Sequence, residues 1–210
     1  MNLSLNEVEA TAKKAARGAT YPWGLAEEAG KATRWLCSHD IDGCRALIDL
    51  LGRMDGTDIM GWLPRITDGI WAARDGMLCP LATGAAISDG AAEVAAKGIR
   101  TGAIAAPMLL APFAALLARE FGEPLTISIG DIALCTDAER LSASGEIPAW
   151  SSEVRIRVGG SVDQSRRIVT RANPAPADWD ALLSLAHRTY APATDDSRLR
   201  GAGAGLSDND

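Results

Sequence analysis

The sequence predicts an α+β fold with a helical N-terminal half and an antiparallel sheet of about four strands in the C-terminal half. Two patterns indicate it. Apolar residues recur at helical spacing up to about residue 53, whereas after residue 125 they alternate with polar ones, as in strands with one solvated face. Between the halves, residues 102–118 carry no charge, and a chain of 210 residues is long enough to bury them in one core.

Three helices are predicted in the N-terminal half. The first begins after Ser4, which can form a capping box with Glu7, and it ends at Gly18. The second covers residues 23–38 and follows a proline, which favours a helix start. The third covers residues 42–53 and turns its leucines inward.

The middle of the chain is predicted to mix short strands with two more helices. Residues 69–73 and 77–79 favour short strands, and residues 80–97 favour a helix rich in small side chains. Residues 102–110 are interpreted as buried extended chain. Residues 112–122 then form a core helix, opened by a proline and capped by a glycine.

The C-terminal half is predicted to be an antiparallel meander followed by a closing helix. The strands are expected at residues 125–129, 132–134, 154–158 and 166–171, and the helix at residues 177–189. The sheet would therefore carry one buried face and one solvated face.

A polar, glycine-rich tail forms the end of the chain. We expect residues 1–190 to make a single compact α+β domain and residues 191–210 to pack on it. Leu199 and Leu206 are spaced apolar anchors, which a solvated tail does not need. Alternating glycines in the tail allow backbone amides to approach an anion or another chain closely.

Charge and cysteine usage restrict the class of partner and the compartment. A net charge of −6 without a basic stripe argues against nucleic acid. Prolines interrupt the most apolar run and no signal peptide is present, so no membrane partner is expected. Four scattered cysteines indicate reduced thiols in the cytoplasm and no metal site. An Asp42-Gly43 helix break is expected to separate Cys37 from Cys44.

Tryptophans in glycine- and proline-punctuated segments predict a homo-oligomer, most simply a dimer. Trp62, Trp71 and Trp150 lie in such segments, where a monomer would expose part of each ring. The small-residue helix over residues 80–97 would let a neighbouring backbone come close.

Cys79 is the first candidate for chemistry. It precedes Pro80 at a predicted helix start, where the positive end of the helix dipole favours a thiolate. His187 or His39 could serve as the base that removes the proton of this thiol. Glu28 is the third candidate catalytic residue. The alternative is that Cys79 is a small buried hydrophobe.

A cleft for a small molecule is predicted around these side chains. Besides Cys79 and Glu28, its lining would comprise Trp23, Tyr190 and, in the tail, Arg198, Gly201, Gly203 and Gly205. The best hypothesis is a cytoplasmic small-molecule metabolic enzyme of undetermined reaction. The alternative is a non-catalytic oligomeric subunit or small-ligand-binding protein, and no pattern points to a particular cofactor.

A resemblance to a proteobacterial family known only as a domain of unknown function is carried by three blocks: SLNEVEATAKKAARGATYPWGLAEEAGKATRWL, CPLATGAAISD and TYAPATDDSRLRGAGAGLSDND. It runs along most of the chain and implies no activity.

The first fifty residues also resemble the N-terminal helices of the malate/lactate dehydrogenase family that is unrelated to Rossmann enzymes. That family has an Asp-Ser-His-Gly turn with a catalytic histidine. The matching turn here is Asp40-Ile41-Asp42-Gly43, so Asp42 stands in place of the histidine and the resemblance implies topology alone.

Overall fold

The computed structural model describes residues 1–190, which form seven α-helices and eleven short strands. The helices are α1 (Leu5–Gly18), α2 (Trp23–Ser38), α3 (Gly43–Met54), α4 (Pro80–Asp89), α5 (Ala91–Lys97), α6 (Ala111–Phe121) and α7 (Pro176–His187). The strands are β1 (Leu3–Ser4), β2 (Arg65–Thr67), β3 (Ile70–Ala72), β4 (Ile99–Thr101), β5 (Ile104–Ala105), β6 (Leu125–Ile129), β7 (Ile132–Thr136), β8 (Leu141–Ala143), β9 (Trp150–Ser151), β10 (Val154–Val158) and β11 (Arg171–Ala172). Two 3-10 helices cover Ile59–Trp62 and Pro107–Leu110.

The α+β class is confirmed, but the sheet is larger than predicted and is mixed. Its seven strands lie in the order β2-β3-β4-β10-β6-β7-β8, and β3 runs parallel to β4. Strand β10 lies between β4 and β6 and pairs with both. The expected meander of about four strands is therefore wrong, because the sheet recruits short strands from the middle of the chain that carry little alternation.

Four predicted segments differ in the structure. Residues 102–110 were expected to be extended throughout, but Pro107–Leu110 form a 3-10 helix. Residues 166–170 form no strand, and only β11 follows them, paired with β1 at the N-terminus. Residues 77–79 form no regular strand, since Leu78 makes only an isolated bridge to Ile104. The predicted helix over residues 80–97 is interrupted at Gly90, where α4 ends and α5 begins.

Helix α6 forms the centre of the core, as predicted for the uncharged segment. It packs on β6 and β7 of the sheet and on helices α2 and α4. Its inward side chains, together with those of the preceding 3-10 helix, are buried: Leu109, Leu110, Phe113 and Leu117. Pro112 lies in its first turn, and Gly122 ends it in the left-handed conformation at φ 68°.

The N-terminal helices pack on one another and on α7, and α2 also contacts α6. Helix α1 packs against α2 and α7, and α3 packs against α2 and α7. The predicted cap of α1 is confirmed, because the Ser4 hydroxyl accepts a hydrogen bond from the Glu7 amide at 3.1 Å. None of the helices within residues 1–190 combines the length and the apolar character that crossing a membrane requires.

Candidate functional site

The Cys79 thiol lies at the start of a helix, as predicted, and is completely buried, as the alternative interpretation of this residue expected. It immediately precedes α4, and its exposed fraction is 0%. The sulfur lies 3.6 Å from the hydroxyl of Tyr21, which is also buried. A core position of this kind offers no direct access to a ligand.

Burial dominates the chemistry of Cys79. Removal from water raises the pKa of its thiol, although the amides of Leu81 and Ala82 and the Tyr21 hydroxyl favour the thiolate. Burial likewise raises the pKa of Tyr21. Two neutral groups in contact therefore fill this part of the core, and the helix dipole does not create a nucleophile here.

The other proposed catalytic residues lie on different surfaces. His187 is exposed at the end of α7, with its ring centroid 5.3 Å from that of Tyr190. Glu28 forms an ion pair with Lys31 on α2 at 2.8 Å. Within residues 1–190, no hydrogen bond or ion pair joins either side chain to Cys79. The structure thus does not bring this predicted group together.

His39, the alternative base, holds two elements together. It is buried and stacks on Trp35 with ring centroids 3.8 Å apart. Its Nδ1 lies 2.8 Å from the Trp35 carbonyl oxygen, and its Nε2 lies 3.1 Å from the carbonyl oxygen of Glu139. These contacts tie the end of α2 to the connection between β7 and β8.

Two of the predicted ligand-binding residues flank a basic surface of α1. Trp23 is 64% exposed, and the guanidinium of Arg17 lies 4.5 Å from its ring centroid. The ammonium of Lys14 lies 5.3 Å from the ring centroid of Tyr190. The remaining predicted binding residues lie outside the described part of the chain: Arg198, Gly201, Gly203 and Gly205.

A cleft with a volume of about 700 Å³ lies beside the turn between α2 and α3. We call it the α2–α3 cleft. Residues 40–42 form one wall, residues 167–174 form the other, and Cys37 also lines it. A second cavity of about 270 Å³ shares residues 40–42 and adjoins it. Both cavities therefore meet at the turn.

The two walls of the α2–α3 cleft carry opposite charges. Asp40 and Asp42 lie on one wall, and Arg167 and Arg171 lie on the other. Arg171 donates a hydrogen bond to the backbone carbonyl of Asn2 at 2.9 Å. Neither arginine forms an ion pair with a carboxylate in residues 1–190. The lining of the cleft therefore carries charges of both signs.

Cys37 differs from Cys79 in the direction of its pKa. The Cys44 thiol has the largest effect on the Cys37 sulfur, and the amide dipoles of Gly43 and Cys44, at the first turn of α3, act in the same direction. Although Cys37 is only 4% exposed, these effects outweigh its burial and lower the pKa of its thiol. The neighbouring Cys37 thiol and burial together raise the pKa of Cys44.

The turn between α2 and α3 brings the two thiols together. Asp42 caps α3 by accepting a hydrogen bond from the Arg45 amide at 2.9 Å. A Cβ on Gly43 would lie 2.6 Å from the Thr33 carbonyl oxygen and 3.3 Å from the Cys37 sulfur. Only glycine allows this approach, so the start of α3 lies directly against the end of α2.

Sequence analysis missed this pair because the Asp42-Gly43 break was expected to separate the cysteines. The break instead folds α3 back on α2, which places Cys44 beside Cys37. The available signal was a capping aspartate followed by glycine. One cysteine comes just before this turn, and the other comes just after it.

No group of three or more His, Cys, Asp or Glu side chains within residues 1–190 is arranged to hold a metal ion. A small polar molecule and the thiol chemistry of Cys37 are what the α2–α3 cleft can support.

The comparison with protein families gives one match. The model of a family described as "Protein of unknown function (DUF3726)" matches residues 3–65, which contain α1, α2, α3 and the turn that lines the cleft. The match supports the predicted resemblance over this N-terminal part and does not extend to most of the chain. No curated protein and no solved structure matches the chain.

Proposed function

We propose that the protein is a small-molecule enzyme with its active site in the α2–α3 cleft and Cys37 as its nucleophile. The observation that carries the proposal is the position of Cys37 in the lining of the α2–α3 cleft, and the lowered pKa of its thiol supports the role. A thiolate is the reactive form of cysteine, and amide donors at a helix start stabilise it. The proposal places the nucleophile at Cys37 rather than Cys79, whose burial favours the neutral thiol.

The charges of the cleft support a class of substrate. Arg167 and Arg171 suit a carboxylate or phosphate, and Asp40 suits an ammonium or hydroxyl group across the cleft. We therefore propose a small zwitterionic or polar molecule that presents an electrophilic centre to Cys37. The four free cysteines of the chain fit a reducing cytoplasmic location.

Thiol labelling at each cysteine tests the proposed nucleophile. Cys135 is the internal control, because it is 6% exposed, nearly the same as Cys37, while burial raises its pKa. We expect iodoacetamide to label Cys37 faster than Cys135 and Cys79 at neutral pH. A lowered pKa keeps the thiolate present at lower pH, so the ratio of the Cys37 rate to the Cys135 rate should rise as the pH falls from about 10 to about 7.

Peptide mass spectrometry after brief labelling of the native protein gives these rates. The proposed nucleophile is wrong if Cys135 reacts as fast as Cys37 at neutral pH, or if the ratio does not change with pH. Native mass spectrometry of the protein from its host, which detects a retained small molecule, addresses the substrate independently.

A second candidate function is a non-catalytic oligomeric subunit. Trp150 on β9 is 49% exposed and Ile66 on β2 is 55% exposed, which favours a protein contact. Trp71, in contrast, is buried within the single chain, so it gives no support to an oligomer. We propose a dimer. Light scattering at tens of micromolar should then give a mass twice that of one chain. A measured mass equal to that of one chain would contradict the dimer.

A further inference from the structure

We propose that a groove between α2 and α6 binds a small aromatic carboxylate. The groove has a volume of about 290 Å³, and its walls come from α2, from α6 and from Ala138 in the connection between β7 and β8. We call it the α2–α6 groove. Its lining residues differ from those of the α2–α3 cleft, so the inference does not rest on the proposed function.

Helix α6 supplies one wall of the groove through a single stripe of side chains. Pro112, Leu116 and Arg119 follow one another at intervals of four and three residues, so they lie on one face of the helix. Leu116 is 55% exposed, whereas its neighbours Ala115 and Leu117 are buried. The stripe therefore places an accessible apolar side chain one turn away from an arginine.

Two aromatic side chains in the lining favour an aromatic ligand. Trp35 on α2 is half-buried, and Phe113 on α6 is 3% exposed. Aromatic rings contact one another favourably in offset stacks or edge to face. The other apolar lining residues besides Leu116 are small or rigid: Ala32, Pro112, Ala115 and Ala138. The groove has roughly twice the volume of a cavity of about 150 Å³ that binds benzene, so it suits two fused rings.

The part of the groove formed by Trp35 and Ala138 is held in place before any ligand binds. The ring of His39 stacks on Trp35 with centroids 3.8 Å apart, and its Nε2 lies 3.1 Å from the carbonyl oxygen of Glu139. Ala138 has a φ of 85°, a left-handed conformation that costs energy for a residue with a Cβ. A wall fixed in this way lowers the entropy cost of binding a rigid ligand.

The charges at the groove favour an anionic group on the ligand. Glu28 and Lys31 form an ion pair at 2.8 Å and balance each other. Arg119 lines the groove and is exposed, and no carboxylate within residues 1–190 forms an ion pair with it. A guanidinium can donate two parallel hydrogen bonds to a carboxylate. The ligand would therefore place its rings against Trp35 and Phe113 and its carboxylate at Arg119.

Titration of the full chain with 2-naphthoate and with its neutral analogue 2-naphthamide tests the groove without any variant. The readout is ¹H–¹⁵N NMR of the Trp35 indole N–H and of the backbone amides of residues 113–119. We expect 2-naphthoate to shift these signals saturably and 2-naphthamide to bind about tenfold more weakly, because it lacks the charge that Arg119 recognises. If 2-naphthoate gives no saturable shift of these signals at millimolar concentration, the site is wrong. Equal affinities for the two ligands would overturn the assignment of a carboxylate.

Variants of exposed residues show whether the ligand lies in the groove. Leu116→Glu puts a carboxylate beside the apolar walls and should abolish binding of 2-naphthoate. Arg119→Gln should lower the affinity for 2-naphthoate about tenfold and leave that for 2-naphthamide unchanged. Met60→Glu is the matched control, since Met60 is 56% exposed and lies in the 3-10 helix Ile59–Trp62, and it should bind 2-naphthoate as the native protein does. Binding that survives in Leu116→Glu, or an unchanged affinity in Arg119→Gln, would contradict the proposed site.

Discussion

Replacement of Tyr21 by alanine is expected to lower the free energy of unfolding by about 3–5 kcal/mol, the cost typical of deleting a buried aromatic ring. Tyr21 is 1% exposed and lies in the short connection between α1 and α2. Its amide donates to the Ala16 carbonyl at 3.0 Å, and its ring reaches to Cys79 at the start of α4. Alanine would leave a cavity where three helices meet.

Tyr21→Phe is the matched control, since it keeps the ring and removes only the hydroxyl. We expect a cost of about 1 kcal/mol, because the lost partner is a thiol, which is a weak hydrogen-bonding group. Urea unfolding of both variants measures the difference. Equal costs for the two variants would mean that the hydroxyl, and not packing, determines the contribution of Tyr21.

Gly43→Ala is expected to destabilise the protein by about 1–3 kcal/mol, as overpacking of a tight contact does. The added Cβ would meet the Thr33 carbonyl oxygen at 2.6 Å, and α3 would have to move away from α2. Because the amides of residues 43 and 44 favour the Cys37 thiolate from their position at the start of α3, the same movement should slow the labelling of Cys37 at neutral pH.

Gly52→Ala is the control in the same helix. Gly52 is exposed, and nothing lies within 4 Å of its added Cβ. Alanine there should stabilise the protein by about 0.5–1 kcal/mol through its better helix propensity and leave Cys37 labelling unchanged. If Gly43→Ala is as stable as the native protein and labels as fast, the close contact between α2 and α3 does not control the thiol.

The helices were predictable because their signals are local. Helix α2 covers the expected residues 23–38, and α6 ends at the glycine that its pattern indicated. The sheet was not predictable in the same way. The pairing of β10 with β4 joins residues more than fifty positions apart, and β4 has only three residues, too few to show alternation.

The candidate site shows the same division between local and tertiary causes. That Cys79 would precede a helix followed from Pro80. The raised pKa of its thiol could not be predicted in this way, because the extent of burial depends on Tyr21 and the packing around it. The contact of Cys37 with Cys44 depends on the approach of Gly43 to Thr33, which no local pattern reports.

The pKa of each cysteine thiol, measured by NMR of protein labelled with ¹³C at the cysteine Cβ, tests the central role of Cys37 most directly. The four resonances, assigned with single Cys→Ser variants, are followed against pH. We predict that Cys37 titrates below the ordinary thiol value of about 8.5, while Cys79 and Cys135 titrate above it. A Cys37 thiol that titrates at or above the ordinary value would contradict its assignment as the nucleophile of the α2–α3 cleft.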